Sequence, residues 1–394
     1  MERIGIYGGT FNPPHIGHME AAQQAIKLLH LNKLLLIPDR IAPHKTLPKN
    51  SPTPQQRLQM LTVAASDIPQ AEVSQLELRR EGPSYTYLTV EELKRQYPQA
   101  QLVLILGTDM FLCFDSWKNW KWLIQNVIIA VLYRGQKGEQ SAIREKRDAL
   151  CALGAQVELV ENQVTAISST DLRRMLAFGC AAPFLPDGVL EYIRENRLYD
   201  FGRDLRQLPM EQLEQTVVSL LKPNRIAHVL GCRDAAVQLA KHWGADPVDA
   251  ARAGILHDIT KALEGPLQLT LCREHGIIMD TFFTENPKTL HALTGSVVAE
   301  RIFGENEAVV NAVRHHTTGC AGMSLLEKII YVADYMEPNR DFPGVEELRR
   351  LAFSDLDGAM RLGLEMTISI LQANHAQISA ASLEALAYLK QKQR

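Results

Sequence analysis

Much that would classify a chain quickly is missing here. The six cysteines are widely spaced with no C-x-x-C pair, so neither a zinc knuckle nor a dithiol redox motif is available. They read as reduced, mostly buried thiols of a cytosolic protein. No stretch approaches about 18 uninterrupted apolar residues, which excludes a membrane-spanning helix. The opening Met1-Glu-Arg-Ile-Gly-Ile-Tyr7 enters a strand pattern at once and leaves no room for a signal peptide. A charge excess is missing too: at a net charge of -3 no basic face favours nucleic acid or an anionic membrane. Internal repeats and low-complexity tracts are also missing. With 46% hydrophobic and 22% charged residues, the composition is that of a globular protein and not a disordered one.

What remains is uneven. At 394 residues the chain has room for two or three domains. Four of its twelve histidines precede residue 200 and eight follow it, while Trp117, Trp120 and Trp122 crowd into one short stretch. Two chemically distinct modules would produce that distribution. Up to residue 200, short apolar runs alternate with amphipathic helical patterns, the mark of βαβ units and a parallel sheet. The pattern predicts strands over Ile4–Tyr7, Lys33–Ile37, Leu102–Leu106, Val127–Leu132 and Val157–Leu159. A polar linker at 201–210 follows, and then helical periodicity alone over 211–394, including one long helical pattern over 354–390. The predicted fold is therefore a Rossmann-like α/β domain at 1–200 followed by an all-α domain.

Two groups of residues carry chemistry. The first is Ile4-Gly-Ile-Tyr-Gly-Gly-Thr-Phe-Asn-Pro-Pro-His-Ile-Gly-His18. A strand delivers Gly8 and Gly9 to a turn where a side chain would block a phosphate, and a helix begins near His18. His15 and His18, three apart, can project toward one point, with Gly17 keeping the space between them open. The second is the set His228, His257, Asp258, His291, His316 and Asp334, spread over five predicted helices or helix ends. These mixed nitrogen and oxygen ligands suit first-row divalent metals, with positions enough for two ions. His242, His275 and His375 read as packed or surface residues.

The string at residues 4–18 resembles the signature of the nucleotidyltransferase superfamily, shared by class I aminoacyl-tRNA synthetases and small adenylyl- and cytidylyltransferases. A synthetase would need a Lys-Met-Ser-Lys-Ser-like loop and a tRNA-binding appendage, and the sequence has neither. The second half of the signature stands at Ile167-Ser-Ser-Thr-Asp-Leu-Arg-Arg174. Ala42-Pro-His-Lys45, Ser84-Tyr-Thr86, Gly107-Thr-Asp109, Trp117 and Arg134-Gly135 then resemble the bacterial nicotinate-nucleotide adenylyltransferases, over residues 1 to about 200. Thr108 stands where those enzymes usually have alanine, and no proline follows Arg134.

That resemblance implies ATP bound by Gly8, Gly9, Thr10, Phe11, Gly107, Asp109, Ser168, Ser169 and Thr170. It implies nicotinate mononucleotide bound by His44, Lys45, Tyr85, Thr86, Trp117 and Arg134, with Trp117 stacked on the pyridine ring. His15, His18, Lys45 and Arg173 would act in catalysis, and Mg²⁺ would travel with ATP. The mononucleotide phosphate attacks the α phosphate of ATP in line, so positioning and charge stabilisation suffice and no enzyme nucleophile is required. Another small adenylyl- or cytidylyltransferase is the alternative.

The second half resembles the HD-domain phosphohydrolases. Asn224-Arg-Ile-Ala-His-Val-Leu-Gly231, Leu256-His-Asp-Ile-Thr-Lys261, Arg314-His-His-Thr-Thr-Gly319 and Ala333-Asp-Tyr-Met-Glu-Pro-Asn-Arg340 look like the bacterial HD family that splits diadenosine tetraphosphate into two ADP. By that resemblance His228, His257, Asp258 and Asp334 hold one metal and His291 and His316 complete a second, with His315 not a ligand. Iron is the metal implied, with manganese, cobalt and zinc as alternatives. Lys261, Arg340 and Arg225 would contact phosphate. A different HD nucleotidase, or a regulatory module without catalysis, stays open. The expected partners are ATP, nicotinate mononucleotide and diadenosine tetraphosphate, with no nucleic acid and no membrane, in a cytosolic homo-oligomer.

Overall fold

Uninterrupted apolar runs such as Leu34-Leu-Leu-Ile37 and Leu102-Val-Leu-Ile-Leu106 suit strands covered on both faces. In the computed structural model, which describes residues 2–43, 46–48, 50–134, 138–279 and 281–392, they lie in a six-stranded sheet. Its strands are β1 (Arg3–Gly9), β2 (Lys33–Pro38), β3 (Ala71–Val73), β4 (Gln101–Gly107), β5 (Ile128–Tyr133) and β6 (Gln156–Glu161). All pair in parallel, in the order β3-β2-β1-β4-β5-β6. Ile4, Ile6, Leu104, Leu106, Ile129 and Val131 share one core beneath the covering helices. β3 was not among the expected strands. It has three residues, none of them fully buried, too few for a pattern to register.

The order of the sheet fixes where a ligand can sit. From β1 the chain moves outward to β2 and β3, then returns to place β4 on the other side of β1. Successive connections therefore leave β1 and β4 in opposite directions, and a crevice opens beyond their C-terminal ends. Gly8 and Gly9 end β1, and Gly107 ends β4.

The chain divides into two compact units, Met1–Gly202 and Arg203–Arg394. The described residues of the second unit form helices, among them Pro223–Trp243, Pro247–Leu256, Leu290–Arg301, Glu307–His315 and Leu325–Met336. Leu325–Met336 is buried almost all round and forms the centre of this core. Where one helical pattern was expected over 354–390, two helices stand, Leu356–Ala373 and Ala380–Lys392. The chain turns between them at His375, whose φ of 51° lies in the left-handed region and cannot continue a helix. Gly254 lets two helices touch: a Cβ there would lie 2.8 Å from the Cα of Arg233, closer than packed atoms approach. That contact draws His257, just past the end of Pro247–Leu256, toward His228 on Pro223–Trp243.

Arg252 anchors the same helix to its surroundings. Its guanidinium makes two 2.6 Å hydrogen bonds to the buried carboxylate of Glu305 and a third to the carbonyl of Leu208. Replacing it, Arg252→Met, strands a buried charge, and the expected loss is about 3–5 kcal/mol in urea unfolding of the second unit. Lys390→Ala, which breaks an exposed pair with Glu365, is expected to cost less than about 1 kcal/mol. Equal costs would contradict this assignment.

Candidate functional site

The crevice of the first unit is a cavity of about 940 Å³. It gathers, from distant parts of the chain, Gly8–Phe11, His15 and His18, Tyr85 and Thr86, Gly107 and Asp109, Trp117, Arg134, and Ser168–Thr170 with Arg173. His44, Lys45 and Gly135 lie outside the described residues. Gly8 and Gly9 are ordinary strand residues, and Phe11 takes the left-handed turn at φ 47°.

His15 and His18 flank the start of the helix Ile16–Leu28, their rings stacked with centroids 3.5 Å apart. The His15 backbone N–H donates to Nδ1 of His18. Gly17 does not hold the rings apart. A Cβ there would sit 2.8 Å from the Thr165 carbonyl, so the glycine permits a close approach of that loop. Burial, with the neighbouring His18, pushes the His15 imidazole down to about 2 and keeps it neutral. A neutral imidazole can donate one N–H to a phosphate without the cost of burying a second cation.

Arg173 donates to the carbonyl of Asn12 at 2.7 Å and to the Thr170 hydroxyl at 3.0 Å. The hydroxyls of Ser168 and Ser169 are committed within the protein. Ser168 caps the helix Ser169–Ala177 by accepting from the Asp171 N–H, and Ser169 donates to the Pro13 carbonyl. Ser168 thus fixes the start of that helix, and Ser169, with Arg173, ties it to the Asn12–Pro13 turn. Arg57 braces the preceding residues: fully buried, it donates to the carbonyls of Thr10 and Asp39, and the Asp39 carboxylate accepts from the Thr10 hydroxyl. Nothing in the sequence singled out Asn12, Asp39 or Arg57. Trp117 is half-buried at the cavity and leans on Phe114, and like Trp120 and Trp122 it packs against the core.

In the second unit four histidines turn their Nε2 atoms toward one another. Nε2 of His228 and His257 are 3.3 Å apart, and those of His291 and His316 are 3.2 Å apart. Asp258 stands between the pairs: Oδ2 is 3.7 and 3.5 Å from the first two, and Oδ1 is 3.2 and 3.7 Å from the second two. It therefore belongs to both halves of the cluster and not to the first alone. Asp334 adds Oδ1 at 3.1 Å from His228. The orientation is imposed from behind. Nδ1 of His257, His291 and His316 faces the carbonyl of Gly254, Lys288 and Val313 respectively, at 2.7–2.8 Å. Nδ1 of His228 instead faces the buried carboxylate of Glu337 at 3.0 Å.

Burial drives His257 and His291 well below the usual imidazole range and His316 to about 4. At Asp334 burial works the other way, but the His228 hydrogen bond and the charges around it hold the carboxyl well below its ordinary value. Neutral imidazoles with Nδ1 committed outward, and ionised carboxylates, are the forms that bind a cation. The donors thus fit divalent first-row metals. Arg225 and Arg340, partly exposed, pair with Asp258 and Asp334, and Lys261 Nζ lies 3.2 Å from Asp258 Oδ1. Three cationic side chains beside this cluster of histidines and carboxylates are of the kind that can receive a polyphosphate. His315 faces away, toward Glu327. Glu337 was missed in the sequence, although it lies three residues beyond Asp334 and so on the same side of that helix end.

A family model described as cytidylyltransferase-like matches residues 6–175, and one described as HD domain matches residues 225–339. Fold and site thus define a nucleotidyltransferase unit followed by an HD-domain unit. A probable nicotinate-nucleotide adenylyltransferase of Symbiobacterium thermophilum is 37% identical over half of this chain and 96% of its own length. One of Pseudomonas syringae is 38% identical over half of this chain and 93% of its own. A symmetrical bis(5'-nucleosyl)-tetraphosphatase of Halalkalibacterium halodurans is 44% identical over 40% of this chain and 84% of its own. The chain belongs, by its first half, to the nicotinate-nucleotide adenylyltransferase family and, by its second, to the HD-domain symmetrical bis(5'-nucleosyl)-tetraphosphatases.

The carboxylate behind His228 distinguishes that imidazole from the other three. Glu337→Gln is expected to weaken divalent-metal binding about 10- to 100-fold, read by competition with a fluorescent chelator. Unchanged affinity would mean that His228 needs no carboxylate partner.

Proposed function

We propose that this chain is a bifunctional enzyme. Its first unit transfers AMP from ATP to nicotinate mononucleotide, giving nicotinate adenine dinucleotide and pyrophosphate. Its second unit hydrolyses diadenosine tetraphosphate symmetrically to two ADP. The observation that carries the reading is the pairing of one cavity lined by His15, His18 and Arg173 with one cluster of four convergent imidazoles and two carboxylates.

In the first reaction an oxygen of the mononucleotide phosphate forms a bond to the α phosphorus of ATP as the bond to pyrophosphate breaks. The N–H groups opening Ile16–Leu28 and Ser169–Ala177, with His15 and His18, surround the charge that develops on the α phosphate, and Arg173 receives the leaving pyrophosphate. Mg²⁺ accompanies ATP. Tyr85, Thr86, Trp117 and Arg134 form the acceptor side of the same cavity, with His44 and Lys45 assigned there by resemblance. In the second unit His228, His257 and Asp334 would hold one divalent ion and His291 and His316 another, with Asp258 between them. Ions so bound lower the pKa of a water and neutralise a phosphoanhydride. Arg225, Lys261 and Arg340 grip the outer phosphates. Iron, manganese, cobalt or zinc would suit these ligands. A chain that consumes ATP and a mononucleotide belongs where both are abundant, in the cytosol. Among the described residues no helix is long and apolar enough to cross a membrane.

Product analysis of the whole chain tests this. ATP with nicotinate mononucleotide should yield nicotinate adenine dinucleotide, and diadenosine tetraphosphate should yield ADP alone. Asp258→Ala is expected to abolish the second reaction and leave the first intact. Equal loss of both would overturn the assignment of two independent sites.

A further inference from the structure

The first unit ends in a strained hook. After the helix Val189–Glu195, three residues without the licence of glycine take left-handed backbone: Arg197 at φ 48°, Tyr199 at 58° and Asp200 at 55°. Such conformations persist only where surrounding contacts over-determine them. Two side-chain contacts tie down its last residues. The Asp200 carboxylate accepts from the Asn50 amide at 2.9 Å, and the Tyr199 hydroxyl donates to Oδ1 of Asn12 at 2.7 Å.

Asn12 is where the hook meets the chemistry. It is buried, it lines the cavity, and its backbone carbonyl holds the guanidinium of Arg173. Its side-chain amide donates to the Ser51 hydroxyl at 3.0 Å. Tyr199 itself does not line the cavity. We propose that Tyr199 is a positioning residue for the transferase reaction: through Asn12 it fixes the Asn12–Pro13 turn and so the placement of Arg173. The proposal rests on the adenylyltransferase reading of this cavity. If the hydroxyl is removed, Asn12 Oδ1 is left buried without that donor, and the amide must turn to seek another. The turn that holds Arg173 then loses one of its tethers. The effect belongs to the transition state, where the pyrophosphate charge develops, and not to the binding of ATP.

The test uses the full chain. Tyr199→Phe keeps the ring and removes one hydrogen bond, and it is expected to lower kcat about 3- to 10-fold while KM for ATP stays within about twofold. Arg173→Lys should cost less in the Tyr199→Phe background than in the native chain, since the two act on one contact. Asp200→Ala cuts the other contact of the same hook. It should lower the melting temperature and leave kcat unchanged. Native kcat in Tyr199→Phe, losses that simply multiply with Arg173→Lys, or parallel losses of kcat in both hook variants would each overturn the proposal. If the native chain makes no nicotinate adenine dinucleotide at all, it is the parent reading that fails.

Discussion

Everything in the second unit turns on which way four imidazoles face. Each commits Nδ1 to an acceptor behind it, and each is thereby left with Nε2 pointing inward at Asp258 and Asp334. In three cases the acceptor is a carbonyl three residues earlier in the chain, so local backbone sets the tautomer and the direction together. Burial then keeps these rings uncharged. Nitrogen lone pairs crowded against two carboxylates are costly without a cation between them. The all-α fold, with Gly254 closing two helices to contact, is what holds them there.

The first unit solves a different problem by similar means. Its cavity beyond β1 and β4 gathers two helix N-termini, the neutral imidazole of His15 and two arginines, Arg134 and Arg173, a set suited to anions. Donors fixed in place can stabilise an anion without a large net positive charge. The chain between Thr10 and Pro13 bears the load of that fixing, gripped by Arg57 from below, by Ser169 and Arg173 from one side and by Tyr199 from another. A net charge of -3 is therefore compatible with the two polyanion sites proposed, because each would be charged locally.

Much of this was legible in the sequence, and for identifiable reasons. Strands buried on both faces leave unbroken apolar runs, and the alternation with helices gives the parallel sheet. His15, His18 and the six metal-binding candidates announce themselves because histidine and aspartate are scarce on apolar helices. The residues that orient them left weaker traces. Glu337, Asn12 and Arg57 act through hydrogen bonds to atoms distant in sequence, and no periodicity encodes such partners. Tyr199 is 187 positions from the side chain that it fixes. The place of Asp258 between the two histidine pairs was likewise out of reach, since it depends on how five helices converge.

The central claim, that the convergent Nε2 atoms and Asp258 hold a pair of divalent ions, is tested most directly by anomalous diffraction from crystals of the full chain grown with manganese. Two peaks within coordination distance of separate histidine pairs, one on each side of the Asp258 carboxylate, are the predicted result. A single peak, or ions bound away from these imidazoles, would contradict it.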